Sequence, residues 1–304
     1  MWFKNLYLYK LQKDFPLSAE QLHEQLQSRT FTPCAKDQRE NSGWVSPLGR
    51  HAESMVHAVN GFILLSMSHQ ERMLPASVIR EELEERVAEL EERENRKIGG
   101  REKKSMREQI EFELLPQAFT RTRKLDAWID TQNHWLVVNT ASAAQAERLT
   151  GLLRKTIDSL PVSLPETSQS PGVLMTQWLT EGVPPAPFEL GGECELRAAR
   201  DETSVAVFRN HELMGEDVQS SLAAGKQASR LMLVWDHRIS LVLGDDLLIR
   251  RLRFLDLFDE QMDEHDPQSK AEQMDIEFTL MTAEVSRMLA DLFSCLNPVP
   301  ATQP

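Results

Sequence analysis

Carboxylates crowd one short stretch of the chain, Asp256, Asp259, Asp263, Glu264 and Asp266 among them. Carboxylates that converge can hold the two metal ions with which a nuclease cleaves a phosphodiester. The stretch lacks the mid-loop glycine of a calcium loop, and an acidic run is by default a solvated negative face. A metal-dependent nuclease is therefore the alternative and not the first reading. His51, His57 and His69 show no metal-ligand spacing and no carboxylate placed to orient them, so they read as surface or loop histidines. Cys34, Cys194 and Cys295 are odd in number and far apart, which fits reduced thiols in a cytosol. Gly225-Lys226-Gln227 lacks the upstream glycine and the Ser/Thr of a phosphate loop, and Gly225 reads as a helix C-cap. G-x-S-x-G and G-x-G-x-x-G are both absent. No catalytic residue, metal or cofactor is expected.

The cations point elsewhere. The net charge is −13, but a polyanion responds to a local basic surface and not to a total. Residues 96–124 hold nine Lys/Arg (Arg96, Lys97, Arg101, Lys103, Lys104, Arg107, Arg121, Arg123, Lys124) against four acids. Residues 255–277 hold nine acids against Lys270 alone. Charge is thus segregated, as binding to a phosphate backbone requires. Arg250, Arg251 and Arg253 make a smaller basic group, which could equally pair with nearby acids. A charged arm that binds other proteins remains a third reading.

The elements that position these residues follow from periodicity. Trp2–Leu11 reads as a strand with Phe3, Tyr7 and Tyr9 on one face. Ser18-Ala19-Glu20-Gln21 has capping-box spacing before a helix with Leu22 and Leu26 inside. Gly43–Gly49 reads as loop, and Asn60-Gly61 as a turn before a strand over 62–67. From Pro75, a stripe of Ile79, Leu83, Val87 and Leu90 predicts a helix. Glu82/Arg86, Glu89/Arg93 and Glu92/Arg96 stand on it at i,i+4. Gly99-Gly100 should stop it, and a second helix over 102–115 carries Met106, Ile110 and Leu114. The result is a helical hairpin at about 75–124, projecting from the body. Phe119 follows in a loop, either tucked against Leu115, wedged between bases, or in contact with a second copy. Strands are expected over 125–130 and 135–140, then a helix from Ser142 to 158. Residues 160–172, with three prolines, are the linker candidate between an N-terminal half (1–165) and a C-terminal half (166–304). The second half offers a helix with Trp178, strands over 195–198 and 204–208, and a helix over 216–224. A meander over 229–254 and a last helix over 271–292 follow. The last helix buries Phe278, Met281, Val285, Met288 and Leu292. An α+β fold of mixed antiparallel sheets and helices is the class. Neither a signal peptide nor a membrane-spanning run is visible, so a soluble, intracellular chain is expected.

Short stretches along nearly the whole chain are similar to one family. They include Trp2-Phe3-Lys4-Asn5-Leu6, Gly43-Trp44-Val45-Ser46-Pro47-Leu48-Gly49 and Leu114-Leu115-Pro116-Gln117-Ala118-Phe119. Trp128-Ile129-Asp130, Ala224-Gly225-Lys226, Arg251-Leu252-Arg253-Phe254 and Phe278-Thr279-Leu280-Met281-Thr282 continue the match. In these the chain resembles RdgC, the recombination-associated proteins of bacteria. The resemblance implies a horseshoe-shaped monomer that closes as a homodimer into a ring around duplex DNA. It implies binding without sequence preference, to single strands as well, and restraint of the RecA recombinase on the cytoplasmic nucleoid. It adds Arg209 and Lys226 to Arg251, Arg253 and the arm's cations as DNA contacts. The second-copy contact read for Phe119 is the candidate for closing the ring, since two-fold pairing makes one patch meet itself. Gln117 and Asn210 depart from the basic residues usual in the family.

Overall fold

The computed structural model describes residues 2–49, 52–198, 201–255 and 270–297. They form an α+β structure of two antiparallel sheets and seven helices among the described residues. The first sheet uses β1 (Tyr7–Leu11), β2 (Glu40–Val45), β3 (Val56–Val59), β4 (Phe62–Arg72), β5 (Thr120–Asp130), β6 (Trp135–Val138) and β7 (Val162–Ser163). Their order is β2-β4-β5-β6-β1-β7, with β3 also paired to β4. Asn60 and Gly61 both take positive φ (50° and 85°), so the β3–β4 turn is where the sequence places it.

Pleat alternation divides this sheet between two cores. Ile63, Leu65 and Met67 of β4, with Leu125, Ala127 and Ile129 of β5, pack toward α1 (Ala19–Gln27) and α4 (Ala143–Ile157). Leu22 and Leu26 of α1, and Ala146, Leu149, Leu153 and Ile157 of α4, complete that core as expected. The α1 capping box forms: Ser18 Oγ accepts from Gln21 N, and Ser18 N donates to Gln21 Oε1. Leu8, Leu64, Trp128 and Val137 enter the other core. Phe3 lies with them and not with Tyr9, because the regular strand begins only at Tyr7.

β2 corrects the first part of the loop expected over 43–49: residues 43–45 are strand, and 46–49 remain loop. Phe31 N donates to Trp44 O at 2.9 Å, and Trp44 N donates to Arg29 O at 2.9 Å. A Cβ at Gly43 would stand 2.4 Å from Phe31 Cα. That glycine serves a close backbone approach and not a turn.

The second sheet is built from β8 (Phe188–Ala198), β9 (Asp201–Arg209), β10 (Lys226–Trp235), β11 (Ile239–Gly244) and β12 (Ile249–Phe254), in the order β12-β11-β10-β8-β9. Helices α5 (Pro171–Glu181) and α6 (Glu216–Ala223) pack against it. Helix α7 (Lys270–Leu296) joins both halves. Its Phe278, Met281, Val285, Met288 and Leu292 are buried as predicted, in a core that also takes Trp128 and Leu241. Ser286 Oγ donates to Asp130 Oδ2 at 2.9 Å on one side of α7, and Trp235 Nε1 donates to Asp291 Oδ2 at 2.8 Å on the other. Leu6 and Ile249 exchange backbone hydrogen bonds of 2.8 and 3.3 Å, tying the two sheets directly.

The arm is α2 (Ala76–Glu94) and α3 (Gly100–Leu114). Ile79, Val87, Ile98 and Ile110 are buried, but none belongs to either main core. The arm therefore has its own narrow apolar seam. Helix α2 ends at Asn95 in the left-handed conformation, four residues before the expected glycine stop, and Gly99 caps α3. Only the Glu82–Arg86 pair forms as spaced, at 2.7 Å. Arg96 has left the helix, so it pairs with Glu94 and Glu102 in place of Glu92.

Candidate nucleic-acid interface

The arm's cations divide by whether a carboxylate already neutralises them. Arg96 meets Glu102 through both terminal nitrogens, at 2.8 and 2.9 Å. Lys97 Nζ is 3.1 Å from Glu91, and Lys104 Nζ is 4.0 Å from Glu108. Glu102 is thereby held below the usual carboxylate range by the Arg96 guanidinium. Arg101, Lys103 and Arg107 are exposed and form no ion pair among the described residues. Arg80 of α2 is another exposed cation without an ion pair among the described residues, and it lies before the basic segment that the sequence singles out.

Beyond the arm, β5 starts at Thr120, five residues before the apolar alternation does. Its outer half is strand because β4 runs to Arg72 and pairs with it throughout, Arg72 opposite Thr120 and His69 opposite Arg123. Side chains alternate there, so Arg121 and Arg123 share one face while Lys124 takes the other. Arg121 is bonded to Glu71 across the strand pair. Lys124 Nζ reaches Asp126 and the Pro47 carbonyl, both at 3.2 Å. Arg123 is exposed and has no ion pair among the described residues. The three cations that adjoin in sequence are thus not one patch.

Phe119 is 86% exposed, whereas Leu115 is buried. The ring does not fold back on the arm's stripe, so that reading is corrected. Its carbonyl accepts from Met73 N at 2.7 Å, which fixes the backbone and leaves the side chain outside.

On the second sheet, Glu193 gathers Arg209, at 3.9 Å, and Arg251. Arg251 has φ 52° and its N–H donates to Asn5 Oδ1 at 3.3 Å. Lys226 Nζ donates to Ser204 O and Oγ at 3.1 and 2.9 Å. Arg253 is exposed without an ion pair among the described residues. Arg250 pairs with Asp246 at 2.6 Å, one of the nearby acids.

Two histidines differ from their surface reading. His69 is buried on β4, with Nδ1 2.9 Å from Ser42 Oγ and Nε2 3.6 Å from Glu40. Burial, and then Arg148, push its pKa down, against Glu40 and Glu71. His57 Nε2 is 3.2 Å from Asp275. These nearby carboxylates come from other elements, where local spacing could not show them, but neither accepts a hydrogen bond from the ring. His51 and the acidic cluster Asp256, Asp259, Asp263, Glu264 and Asp266 lie outside the described residues. Among the described residues no group of three or more His, Cys, Asp or Glu could hold a metal ion. The three cysteines are free, and burial pushes the Cys194 thiol up to about 11. No helix among the described residues is long and apolar enough to cross a membrane.

Fold and surface together define an α+β protein with a helical arm and scattered exposed cations, some of them without a counter-ion among the described residues. A family model described as "Putative exonuclease, RdgC" matches residues 1–298. The recombination-associated protein RdgC of Aeromonas hydrophila subsp. hydrophila is 39% identical over 297 residues, 98% of each chain. Its namesakes in Serratia proteamaculans and Yersinia pestis are 38% and 37% identical over 298 residues, again 98% of each chain. The chain belongs to the RdgC family.

Proposed function

We propose that this protein binds double-stranded DNA through its phosphate backbone, without reading sequence and without cleaving it. In this reading two copies close into a ring around the duplex and limit RecA-dependent recombination on the nucleoid, with single strands bound secondarily. The observation that carries it is a group of exposed cations that form no ion pair among the described residues, on a chain otherwise rich in acid; Arg101, Lys103, Arg107, Arg123 and Arg253 are among them. Arg209, at 3.9 Å from its carboxylate, is nearly as free. Fixed cations without a local counter-ion attract phosphates and release condensed counter-ions when they bind. The relatives' names as recombination-associated proteins support reading such binding as part of that process.

The test is a titration of duplexes of unrelated sequence at several salt concentrations. If about six phosphates are neutralised, log affinity falls with log salt at a slope near −5. A slope near zero, or strong preference for one sequence, refutes the reading. The family model's description makes nuclease activity the outcome to exclude. Supercoiled and linear DNA incubated with magnesium should remain uncut. Cleavage that disappears when Asp259 and Asp263 become Asn would establish the enzyme instead.

A further inference from the structure

Arg80 of α2 and Arg107 of α3 line one open cleft of about 300 Å³ at the side of the arm, with Ala76, Ser77 and Leu83. Neither guanidinium forms an ion pair among the described residues, and no carboxylate is among the residues that line the cleft. Elsewhere on the same hairpin the arrangement is the reverse. Arg86 is held between Glu82 and Glu113 at 2.7 and 2.8 Å, and Arg39 meets Glu111 at 2.8 Å. Acids are abundant on α2, yet Glu81, Glu84 and Glu85 form no ion pair with either arginine. Two like charges directed to one cleft repel each other unless an anion lies between them. Guanidinium forks match phosphate oxygens in geometry as well as charge.

We infer that this cleft is a phosphate-binding site in which Arg80 and Arg107 clamp one phosphodiester of the nucleic-acid backbone, with the Ser77 hydroxyl as a further donor. The inference rests on the proposed DNA binding and names a contact within it. Ala76, Ser77, Arg80 and Arg107 are all exposed, so a continuous polymer can lie across the cleft where a small anion would not be enclosed. Lys103 stands one turn from Arg107 along α3, about 6 Å away at 1.5 Å per residue, and carries the positive track toward the arm's tip.

The experiment compares wild type with Arg80→Gln, Arg107→Gln and the double variant on random-sequence duplex, by fluorescence anisotropy across a salt series. Both arginines are exposed, so the variants are expected to melt like wild type. Each neutralised phosphate contributes about 0.9 to the salt slope, so losing the one clamped phosphate should make the double variant shallower by about 1. Arg93→Gln, which removes a cation already near Glu94, serves as the control. The arginine Nε–Hε NMR signals of Arg80 and Arg107 should shift on adding duplex. A parallel titration with inorganic phosphate distinguishes the source of the phosphate. Saturation by inorganic phosphate that duplex cannot displace overturns the assignment to nucleic acid. A steep wild-type slope retained in the double variant removes the cleft alone. A wild type that does not bind duplex removes the cleft and the proposed function together.

Discussion

Replacing Phe119 by alanine separates a contact with a second copy from a role in the fold. The residue is 86% exposed in the single chain, so little of its ring is buried by folding. Full burial of a phenylalanine side chain contributes about 1.5–3 kcal/mol. A two-fold contact presents the same patch twice, so two rings would contribute about 3–6 kcal/mol to closure. At about 1.4 kcal/mol per factor of ten, Phe119→Ala should favour the open ring by about two to four decades. The assay is the dissociation rate from covalently closed DNA circles, where a closed clamp cannot slide off an end. That rate should rise at least about 100-fold if opening limits release. The control is thermal melting. An exposed substitution changes stability by no more than about 0.5 kcal/mol, a shift of about 1–2 °C. Unchanged dissociation would take Phe119 out of ring closure. A large fall in melting temperature would contradict the exposed ring itself.

Three further outcomes test the fold that carries the interface. Asp130→Ala leaves Gln132 N, Asn133 N, Asn133 Nδ2 and Ser286 Oγ without their carboxylate. Urea unfolding should show a loss of about 3 kcal/mol or more, and a loss below about 1 kcal/mol would mean that α7 does not depend on this clasp. Gly43→Ala places a methyl against the Phe31 backbone and should cost at least about 2 kcal/mol, read from the same urea curves. His69 is buried with its pKa lowered, so the unfolded chain binds its proton more readily than the native one. Its contribution to stability is present above the ordinary histidine pKa of about 6.5 and is lost as pH falls through the lower folded value. Between pH 7 and pH 5, wild type should lose more stability than His69→Gln, and equal losses would refute this assignment.

Where apolar residues recur at 3.6 or 2.0, the chain could be read directly. Helices α1, α4 and α7 and the β10–β12 meander stand close to their expected bounds because each buries the apolar pattern that its own sequence displays, while the arm's two helices form where expected but bury only Ile79, Val87 and Ile110 of their stripes. The outer half of β5 could not be read this way. Thr120-Arg121-Thr122-Arg123-Lys124 has no apolar alternation, and it is strand only because β4 lies beside it. β2 was hidden by a glycine whose reason is contact with Phe31.

The candidate interface divides along the same line. The sequence by itself determined that cations concentrate in 96–124, that the chain belongs with the RdgC proteins, and that an aromatic residue follows the arm. Only the tertiary structure decided which cations are free. Arg121 is neutralised by Glu71, fifty positions away, and Arg251 by Glu193, fifty-eight positions away. Arg80 and Arg107 meet in a cleft although they lie on different helices. Helical and strand periodicity are local properties, set by backbone geometry over a few residues. Charge compensation depends on which distant carboxylates the fold brings within about 4 Å, and no spacing along the chain encodes that distance.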